Sequence, residues 1–136
     1  GDIVFKDDND NIILIFERKS LSDLVSSIKD GRYSEQSFRL SQHQLDNHNI
    51  FYIIEGDLLK FSLKISEPTQ KSIYSAMFSL TYVKGFSLLR TNSLIETAEI
   101  IIRFAEKIIK DKTVKPFYSS EKSQINTSEN DEKWLV

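Results

Sequence analysis

The feature of this sequence that most constrains its fold is an apolar stretch, residues 12–16, that runs directly into three charged residues. Its letters are IILIF, and Glu17, Arg18 and Lys19 follow. A strand that is apolar on both faces is typical of a sheet covered by helices on both sides. Charged side chains at the end of such a strand are costly unless they are paired, hydrated or bound to a metal. The stretch therefore predicts a buried strand that leads into a charged site.

The composition of the chain is that of a globular protein. Its 136 residues are enough for one domain with a hydrophobic core, and it is 40% hydrophobic and 28% charged. The apolar runs fall far short of the ~20 residues that a membrane helix needs. Because the chain has no cysteine, a disulfide framework and a thiolate zinc site are excluded. The first residues lack the pattern of a secretory signal, so the sequence predicts an intracellular protein with no membrane contact.

Hydrophobic periodicity predicts strands that alternate with helices. Residues 3–5 and 12–16 flank the polar letters KDDNDN, which is typical of a β-hairpin. Apolar residues then recur at helical spacing from Leu21 onward, and Gly31 is expected to end that helix. The further expected elements are a helix over 34–45, a strand over 49–56, an extra strand over 59–66, a helix over 69–84 before Gly85, a strand over 86–91, and a helix from the capping box of Ser93 with Glu96 to about residue 111. This order predicts a single α/β domain.

Side chains alternate between the two faces of a sheet along a strand, so the residues of the charged triplet are expected on both faces. Glu17 and Lys19 are expected on one side of the sheet, and Arg18 on the other. A carboxylate and a lysine on one side, with a second carboxylate nearby, suit a metal-dependent nuclease, because carboxylate oxygens hold Mg²⁺ or Mn²⁺. The lysine would orient the attacking water or offset the charge that grows on the phosphate. Asp2, at the head of the hairpin, is the candidate for the second carboxylate.

Structural interpretations of these residues stay open beside the catalytic one. The triplet also fits a solvated strand end with a surface ion pair. Asp23, together with Ser20, fits the S-x-x-[DE] pattern that begins a helix, where the helix dipole stabilises its charge. An active-site role for Asp23 is compatible with that structural role.

The letters ERKSLSD fit E-R-K-x-x-x-D. Together with Gly1 and Asp2 they resemble the G-D-x(n)-E-R-K-x-x-x-D signature of the XPF/MUS family of structure-specific endonucleases. The stretches SSIKDGRYSEQSFRL, FYIIEG and VKGFSLLRTNSLIETAEII continue the resemblance, and the MUS branch is the most similar. The resemblance covers the chain from Gly1 to about Ile109.

This resemblance implies a restriction-endonuclease-like core, which is an α/β fold with a mixed central sheet flanked by helices. It implies an enzyme that cuts one strand of flap, fork or nicked-junction DNA in repair or recombination, in the nucleus where the cell is eukaryotic. Asp2 and Glu17 would be ligands of Mg²⁺ or Mn²⁺, joined by the backbone carbonyl of Arg18. Lys19 would be catalytic, and Asp23 belongs to the same catalytic motif.

The chain departs from the family pattern in two places. The family has a further strand before the G-D pair that brings another acidic residue to the site, and this chain begins at Gly1. Catalytic members carry tandem helix-hairpin-helix motifs after the nuclease domain, and residues 112–136 show none. The expected organisation is a nuclease domain over residues 1–111, without the family's first strand, and a flexible polar tail over residues 112–136.

Arg32, Gln36 and Arg39 have the i, i+4, i+7 spacing of one helical face. Their side chains are suited to phosphate oxygens, contacts that position a duplex without reading its sequence. The alternative is a solvated polar face. The net charge of −2 does not by itself favour nucleic-acid binding, but a local basic face is enough for it.

The last two helices have more apolar positions than a single core-facing side needs. These positions are Ile73, Tyr74, Met77, Phe78 and Leu80 in the first of them, with Ala98, Ile101, Ile102, Ala105 and Ile109 as one stripe and Ile100, Phe104 and Ile108 as another in the second. A helix that is apolar on two sides must bury both. Family members dimerise through this part of the nuclease domain, so the resemblance implies a homodimer or a heterodimer with a related subunit.

Two other functions are compatible with the same fold. One is a non-catalytic DNA-binding or scaffold subunit of a nuclease dimer, since several family members have lost the catalytic motif. The intact E-R-K-x-x-x-D motif favours the enzyme over this alternative. The other is a nuclease that acts on RNA or on a Holliday junction, and the sequence does not separate these substrates.

Overall fold

The computed structural model of this protein describes residues 3–32, 45–111 and 113–117. Its centre is a four-stranded sheet whose strands lie side by side in chain order. The strands are β1 (Ile3–Lys6), β2 (Ile12–Ser20), β3 (Ile50–Glu55) and β4 (Ser87–Thr91). β1 pairs with β2 in the antiparallel sense, and β2, β3 and β4 are parallel to one another. This is the mixed sheet that the sequence predicts.

Four α-helices flank the sheet within the described residues. They are α1 (Leu21–Asp30), α2 (Leu58–Ser62), α3 (Glu67–Phe78) and α4 (Leu94–Lys110). A side-chain oxygen accepts a hydrogen bond from the first turn of each helix, at Ser20, Asp57, Ser66 and Ser93 respectively. Gly31, whose φ is 78°, ends α1 in the left-handed conformation. The predicted end at Gly31 and the predicted start at Ser93 are both confirmed.

The predicted hairpin is also confirmed, and β2 is longer than expected. In the connecting turn, Asp7 Oδ1 accepts hydrogen bonds of 2.9 Å from the backbone N–H groups of Asn9 and Asn11. β2 continues past the apolar stretch to Ser20. The charged triplet therefore lies inside the strand, where β3 pairs with its backbone.

The extra strand expected over residues 59–66 is wrong, because the chain forms α2 there. The side chains that pack against the core are Leu58, Phe61 and Ile65, and the exposed ones are Leu59 and Leu63. Core contacts thus recur at helical spacing and not at every second residue. The start signal is Asp57, whose Oδ1 accepts a hydrogen bond of 3.1 Å from the Lys60 N–H.

The helix expected over residues 69–84 is α3 followed by a π-helical turn, Ser79–Val83. Thr81 Oγ1 donates to the Met77 carbonyl at 2.7 Å inside this turn. Gly85, with φ 77°, ends the segment as predicted.

Two other expectations fall on residues that lie outside the described part. These are the helix over 34–45, apart from Leu45, and most of the tail over 112–136. Among the described residues, none of the helices combines the length and the hydropathy needed to cross a bilayer.

The core has two sides, one on each face of the sheet. On the first face, α1, α3 and the π-helical turn cover Ile15 and Ile54. On the second face, Phe104 of α4 packs on Phe16 at a ring-centroid distance of 5.7 Å and on Phe51 at 5.5 Å. Because β2 is covered on both sides, its continuous apolar sequence is explained.

Gly56 directly follows the carboxyl end of β3 and lies against two neighbouring elements, β4 and α1. Its N–H donates to the Thr91 carbonyl at 2.8 Å. Its φ is 141°, which L residues rarely adopt, and an added Cβ would lie 2.8 Å from Leu21 Cδ1. Gly31 also has a positive φ, 78°, but nothing lies within 4 Å of a Cβ added there.

We therefore expect Gly56→Ala to lower the free energy of unfolding by more than Gly31→Ala does. Backbone strain alone costs about 1–3 kcal/mol at such positions. At Gly56 the buried Leu21 side chain must move as well. Urea unfolding followed by far-UV circular dichroism measures both losses. Equal losses would show that the approach of Gly56 to Leu21 is not a tight one.

Candidate active site

The charged triplet lies on β2 in register with residues 52–54 of β3. Because side chains alternate along the strand, Glu17 and Lys19 belong to the first face of the sheet and Arg18 belongs to the second. The triplet thus reaches both sides of the sheet. The carboxyl ends of β2, β3 and β4 meet at one edge, and in this register Ser20, Glu55 and Thr91 form a row across it.

Glu17 is a buried carboxylate. Glu17 is only 6% exposed, so it is buried like Ile15 and Phe16, which precede it in β2. An ionised carboxylate at this depth is costly without compensating partners, and such groups are frequent at functional sites. Lys19 is partly buried on the same face. An acid and a base therefore share one side of the sheet close to its carboxyl edge.

Arg18 is held by Glu55, the last residue of β3. Arg18 Nε donates to Glu55 Oε1 at 2.9 Å, and Arg18 Nη2 donates to Glu55 Oε2. The Arg18 side chain is 39% exposed, whereas that of Glu55 is 8% exposed. Two parallel hydrogen bonds between a guanidinium and a carboxylate fix the orientation of both groups. The pair joins the ends of β2 and β3 on the second face.

Two threonines continue this arrangement into β4 and α4. Thr97 of α4 donates to Glu55 Oε1 at 2.6 Å, a distance typical of a hydroxyl bonded to a charged carboxylate. Thr91 Oγ1 lies 2.6 Å from Thr97 Oγ1. Both threonines are buried. The Glu55 carboxylate therefore accepts hydrogen bonds from two elements, β2 and α4.

These contacts keep Glu55 ionised. The hydrogen bonds from Arg18 lower the pKa of Glu55 below its ordinary value, and the hydrogen bond from Thr97 and the positive charge of Arg18 lower it further. Burial opposes this by raising the pKa of Glu55, but it is the smaller effect.

Asp23 lies in the first turn of α1. Its backbone N–H donates to Ser20 Oγ at 3.2 Å, and its side chain is exposed. The predicted helix start at Ser20 is confirmed, and a carboxylate in the first turn also suits the helix dipole. The structural role of Asp23 therefore accounts for its position next to β2, and it leaves a second role open.

The other predicted site residues are only partly described. Asp2, Gln36 and Arg39 lie outside the described residues. Arg32 is exposed, and its Nη2 lies 3.3 Å from Asp30 Oδ2. An ion pair between two side chains this exposed contributes little to stability.

The described residues do not by themselves form a complete set of metal ligands. Residues 3–32, 45–111 and 113–117 contain no group of three or more His, Asp or Glu side chains that are close enough to hold one ion. Glu17 is the buried carboxylate of the motif, and the predicted second ligand, Asp2, is outside these ranges. Ile3, which follows Asp2 in the chain, pairs with Phe16, which precedes Glu17.

The sequence interpretation missed Glu55, Thr91 and Thr97. A signal was present, because FYIIEG ends a buried strand with an acid just as IILIFERK ends one with charges. Two parallel core strands that end in opposite charges are expected to pair at their common edge. Thr97 had no such signal, since its contact with Glu55 depends on how α4 lies across the sheet.

The arrangement of strands and helices defines the class of this chain. A mixed sheet covered on both faces, with an acid–arginine–lysine triplet near the carboxyl edge of its central parallel strands, is a restriction-endonuclease-like fold. The sequence over residues 1–104 matches the ERCC4 domain. The chain belongs to the ERCC4 domain family.

Relatives and solved structures agree with this assignment. The crossover junction endonuclease mus-81 of Neurospora crassa is 37% identical over 92 residues, which are 66% of this chain and 14% of that protein. The probable crossover junction endonuclease mus81 of Dictyostelium discoideum is 34% identical over 133 residues, which are 82% of this chain and 14% of that protein. This chain therefore spans a small part of the length of these relatives. The resemblance to the XPF/MUS family is confirmed.

Two solved structures that match this chain are of XPF from Aeropyrum pernix. XPF from Aeropyrum pernix in complex with DNA has a TM-score of 0.58 at 27% identity, and the match covers 84% of this chain and 54% of that one. A second structure of XPF from Aeropyrum pernix has a TM-score of 0.55 at 32% identity, with 68% of this chain and 44% of that chain covered. The predicted fold, a restriction-endonuclease-like core with a mixed sheet, is confirmed.

Proposed function

We propose that this chain is the nuclease domain of a metal-dependent, structure-specific DNA endonuclease that cuts flap, fork or nicked-junction DNA in repair or recombination. The observation that carries the proposal is the buried Glu17 carboxylate inside an intact E-R-K-x-x-x-D motif, in a chain of the ERCC4 domain family. Matched relatives are named crossover junction endonucleases, and one matched structure is a complex with DNA. If the source is a eukaryote, such work would take place in the nucleus.

The position of the triplet supports this proposal. Glu17 and Lys19 lie toward the carboxyl ends of parallel strands, which is where open α/β sheets bind their ligands. The first turn of α1 begins at the same edge, so Asp23 and the end of β2 are neighbours in the chain. The junction between β2 and α1 thus brings Glu17, Lys19 and Asp23 to one edge of the sheet.

The donor set fits a hard divalent cation. Mg²⁺ is usually held by one or two carboxylates, with water and phosphate oxygens as its other ligands. Glu17 and Asp2 would supply the carboxylates, and the backbone carbonyl of Arg18 a further oxygen. The antiparallel pairing of Ile3 with Phe16 supports a second carboxylate from this end of the hairpin. A bound Mg²⁺ or Mn²⁺ would polarise the phosphate and acidify a water.

Lys19 would act on the substrate directly. In the hydrolysis of a phosphodiester, a water oxygen bonds to phosphorus while the bond to one sugar oxygen breaks, and that sugar oxygen takes up a proton. The ammonium of Lys19 would orient the attacking water or offset the negative charge that grows on the phosphate. Asp23 would stabilise the start of α1 beside this site and, as the last residue of the motif, would take part in catalysis.

The test is cleavage of a labelled 3′-flap duplex by the 136-residue chain in Mn²⁺. We expect Glu17→Gln, which keeps the volume but removes the charge, to lower the rate by more than about a hundredfold, since even outer partners of metal ligands contribute about 10–100-fold. Glu67→Gln is the matched control, because Glu67 is an exposed carboxylate in the first turn of α3.

The outcomes separate the candidate functions. Cleavage by the wild type and by Glu67→Gln, with loss in Glu17→Gln, would support a metal nuclease. Tight binding of the flap without any cleavage would contradict the enzyme and favour a non-catalytic DNA-binding or scaffold subunit. Faster cleavage of an RNA duplex or of a Holliday junction would contradict the flap preference.

Arg32 is the described member of the proposed DNA-binding set, with Gln36 and Arg39 as the others. Arg32 follows α1 after Gly31, and its side chain is exposed, so a DNA phosphate can reach its guanidinium from solvent. Its exposed pair with Asp30 is weak enough to exchange for a phosphate.

We expect Arg32→Ala to weaken binding of all DNA sequences alike. The slope of log K against log salt concentration should become less steep by about 0.9, which corresponds to one lost phosphate contact. Lys71→Ala is the control, because Lys71 is an exposed cation with one exposed acidic partner on α3. Fluorescence anisotropy at several salt concentrations measures both. A loss confined to one sequence, or an equal change in the control, would contradict the proposed contact.

The outer side of α4 supports the proposed dimer. Ile95, Ile102 and Ile109, here called the outer stripe, recur at heptad spacing, and each is more than half exposed. An exposed line of large apolar side chains is typical of an interaction surface. Phe78 at the end of α3 and Tyr82 in the π-helical turn, whose rings stack at 5.2 Å, form a second exposed apolar site.

We expect sedimentation velocity of the 15.8 kDa chain to show a dimer at tens of micromolar. Ile102→Glu should shift it to monomer, because a charge in the outer stripe would have to be buried without a partner. Tyr82→Glu, an exposed apolar site on the other face, should leave the dimer intact. Only monomer in the wild type, or dissociation by Tyr82→Glu alone, would contradict an interface through α4.

A further inference from the structure

A series of polar groups ties the ends of three parallel strands to α4 on the second face. Its members are Arg18 of β2, Glu55 of β3, Thr91 of β4 and Thr97 of α4. Thr91 and Thr97 are almost inaccessible, with exposures of 1% and 2%. Buried polar groups are stable only when they are hydrogen-bonded, and a fully bonded network makes its surroundings rigid.

The chemistry of the groups gives these hydrogen bonds a direction. A guanidinium only donates, and an ionised carboxylate only accepts. Thr97 has a single hydroxyl proton, and its oxygen lies 2.6 Å from Glu55 Oε1 but 3.2 Å from the Ser93 carbonyl. The proton therefore goes to Glu55, and Thr91 donates to Thr97 in turn. Loss of the Thr97 hydroxyl would remove one of the two hydrogen bonds to Oε1 of the carboxylate that orients Arg18.

The carboxyl end of β3, which carries Glu55, is itself held in place by hydrogen bonds to β4. On the first face, the Arg90 guanidinium donates to the carbonyls of Ile54 and Gly56 at 2.9 and 3.0 Å. The Gly56 N–H is bonded to β4 as well. The end of β3 is thus held from both faces, so that Glu55 can fix a neighbouring strand.

Arg18 faces the side of the sheet opposite to Glu17 and Lys19, but it is joined to both by peptide bonds. A change in where the Arg18 guanidinium is held can shift the backbone of β2 and, with it, these two residues. A shift of about 1 Å at a catalytic group can reduce a rate by a hundredfold. The network is therefore placed to set the position of the catalytic candidates without contacting the substrate.

We propose that Glu55 is a positioning residue, which holds Arg18 and thereby the end of β2 that carries the catalytic candidates. Thr97, which donates to the same Oε1 atom as Arg18 Nε, and Thr91 behind it fix the orientation of Glu55. This inference rests on the proposed nuclease function and extends it to three residues outside the E-R-K-x-x-x-D motif.

The test compares two substitutions at Thr97. Thr97→Val keeps the shape but removes the hydroxyl, and Thr97→Ser keeps the hydroxyl. For cleavage of the 3′-flap duplex, we expect Thr97→Val to lower kcat by about 10–100-fold, the effect typical of outer partners of a metal site, with KM changed by less than about twofold. Thr97→Ser should restore most of kcat.

Two further measurements keep the test independent of cleavage. Mn²⁺ alone is titrated by water-proton relaxation, and Thr97→Val should bind it about tenfold more weakly. The matched control is Thr81→Val, which removes a partly buried threonine hydroxyl that donates to a helix carbonyl near the other face. If Thr97→Val fails to fold by circular dichroism, Glu55→Gln is measured in its place with the same expectations.

The outcomes distinguish this proposal from the proposed function. Wild-type cleavage, with kcat and Mn²⁺ affinity unchanged in Thr97→Val, would overturn the positioning role and leave the nuclease intact. Equal losses in Thr97→Val and Thr81→Val would also overturn it, since a general loss of stability would explain both. If the wild type binds Mn²⁺ without cutting, the Mn²⁺ affinities alone support or overturn the network. A wild type that neither cuts nor binds Mn²⁺ would overturn both proposals.

Discussion

The ionised carboxylate of Glu55, buried at the carboxyl edge of the sheet, is the constraint on which the rest of this edge depends. It is tolerated there because Arg18 and Thr97 donate hydrogen bonds to it, and these contacts outweigh the cost of burial, as its lowered pKa indicates. The strands that meet beside it also lead directly into helices. α1 begins immediately after β2, and α4 begins shortly after β4. The β2–α1 junction, which carries the motif, and the β4–α4 junction therefore meet at one charge pair, Arg18 with Glu55.

Strand alternation lets a single triplet serve both sides of the sheet. Arg18 is directed to the second face, where it stabilises the packing of α4 against the strand ends through Glu55. Glu17 and Lys19 are directed to the first face, close to the start of α1. A one-residue shift in the register of β2 would turn Arg18 to the first face, away from Glu55, and would turn Glu17 and Lys19 to the second face. The parallel pairing of residues 17–19 with residues 52–54 of β3 fixes this register.

Features of the fold and the site that depend on contacts between residues close in the chain were predictable from the sequence, and those that depend on contacts between distant residues were not. The hairpin, the end of α1 at Gly31 and the start of α4 at Ser93 follow from neighbouring residues, and all three were predicted. Residues 59–66 were misassigned because Leu59 and Leu63 alternate with polar residues as a strand would, while the deciding signal was the helix cap at Asp57. The pairing of Arg18 with Glu55 joins residues 37 positions apart, so it required the order of the strands. The position of Thr97 required the placement of a helix on the sheet.

The helix α4 takes part in both the proposed dimer interface and the proposed positioning of the catalytic candidates by Glu55. Its inner side carries Thr97, which holds Glu55, and Phe104, which packs on β2 and β3. Its outer side carries the outer stripe, which a second subunit is proposed to cover. A partner that covers the outer stripe would also stabilise the placement of α4, because binding to the folded form lowers its free energy. Loss of cleavage in a dimer variant such as Ile102→Glu therefore does not by itself assign a catalytic role to the interface. The oligomeric state and the Mn²⁺ affinity have to be measured on the same variant before the two effects can be separated.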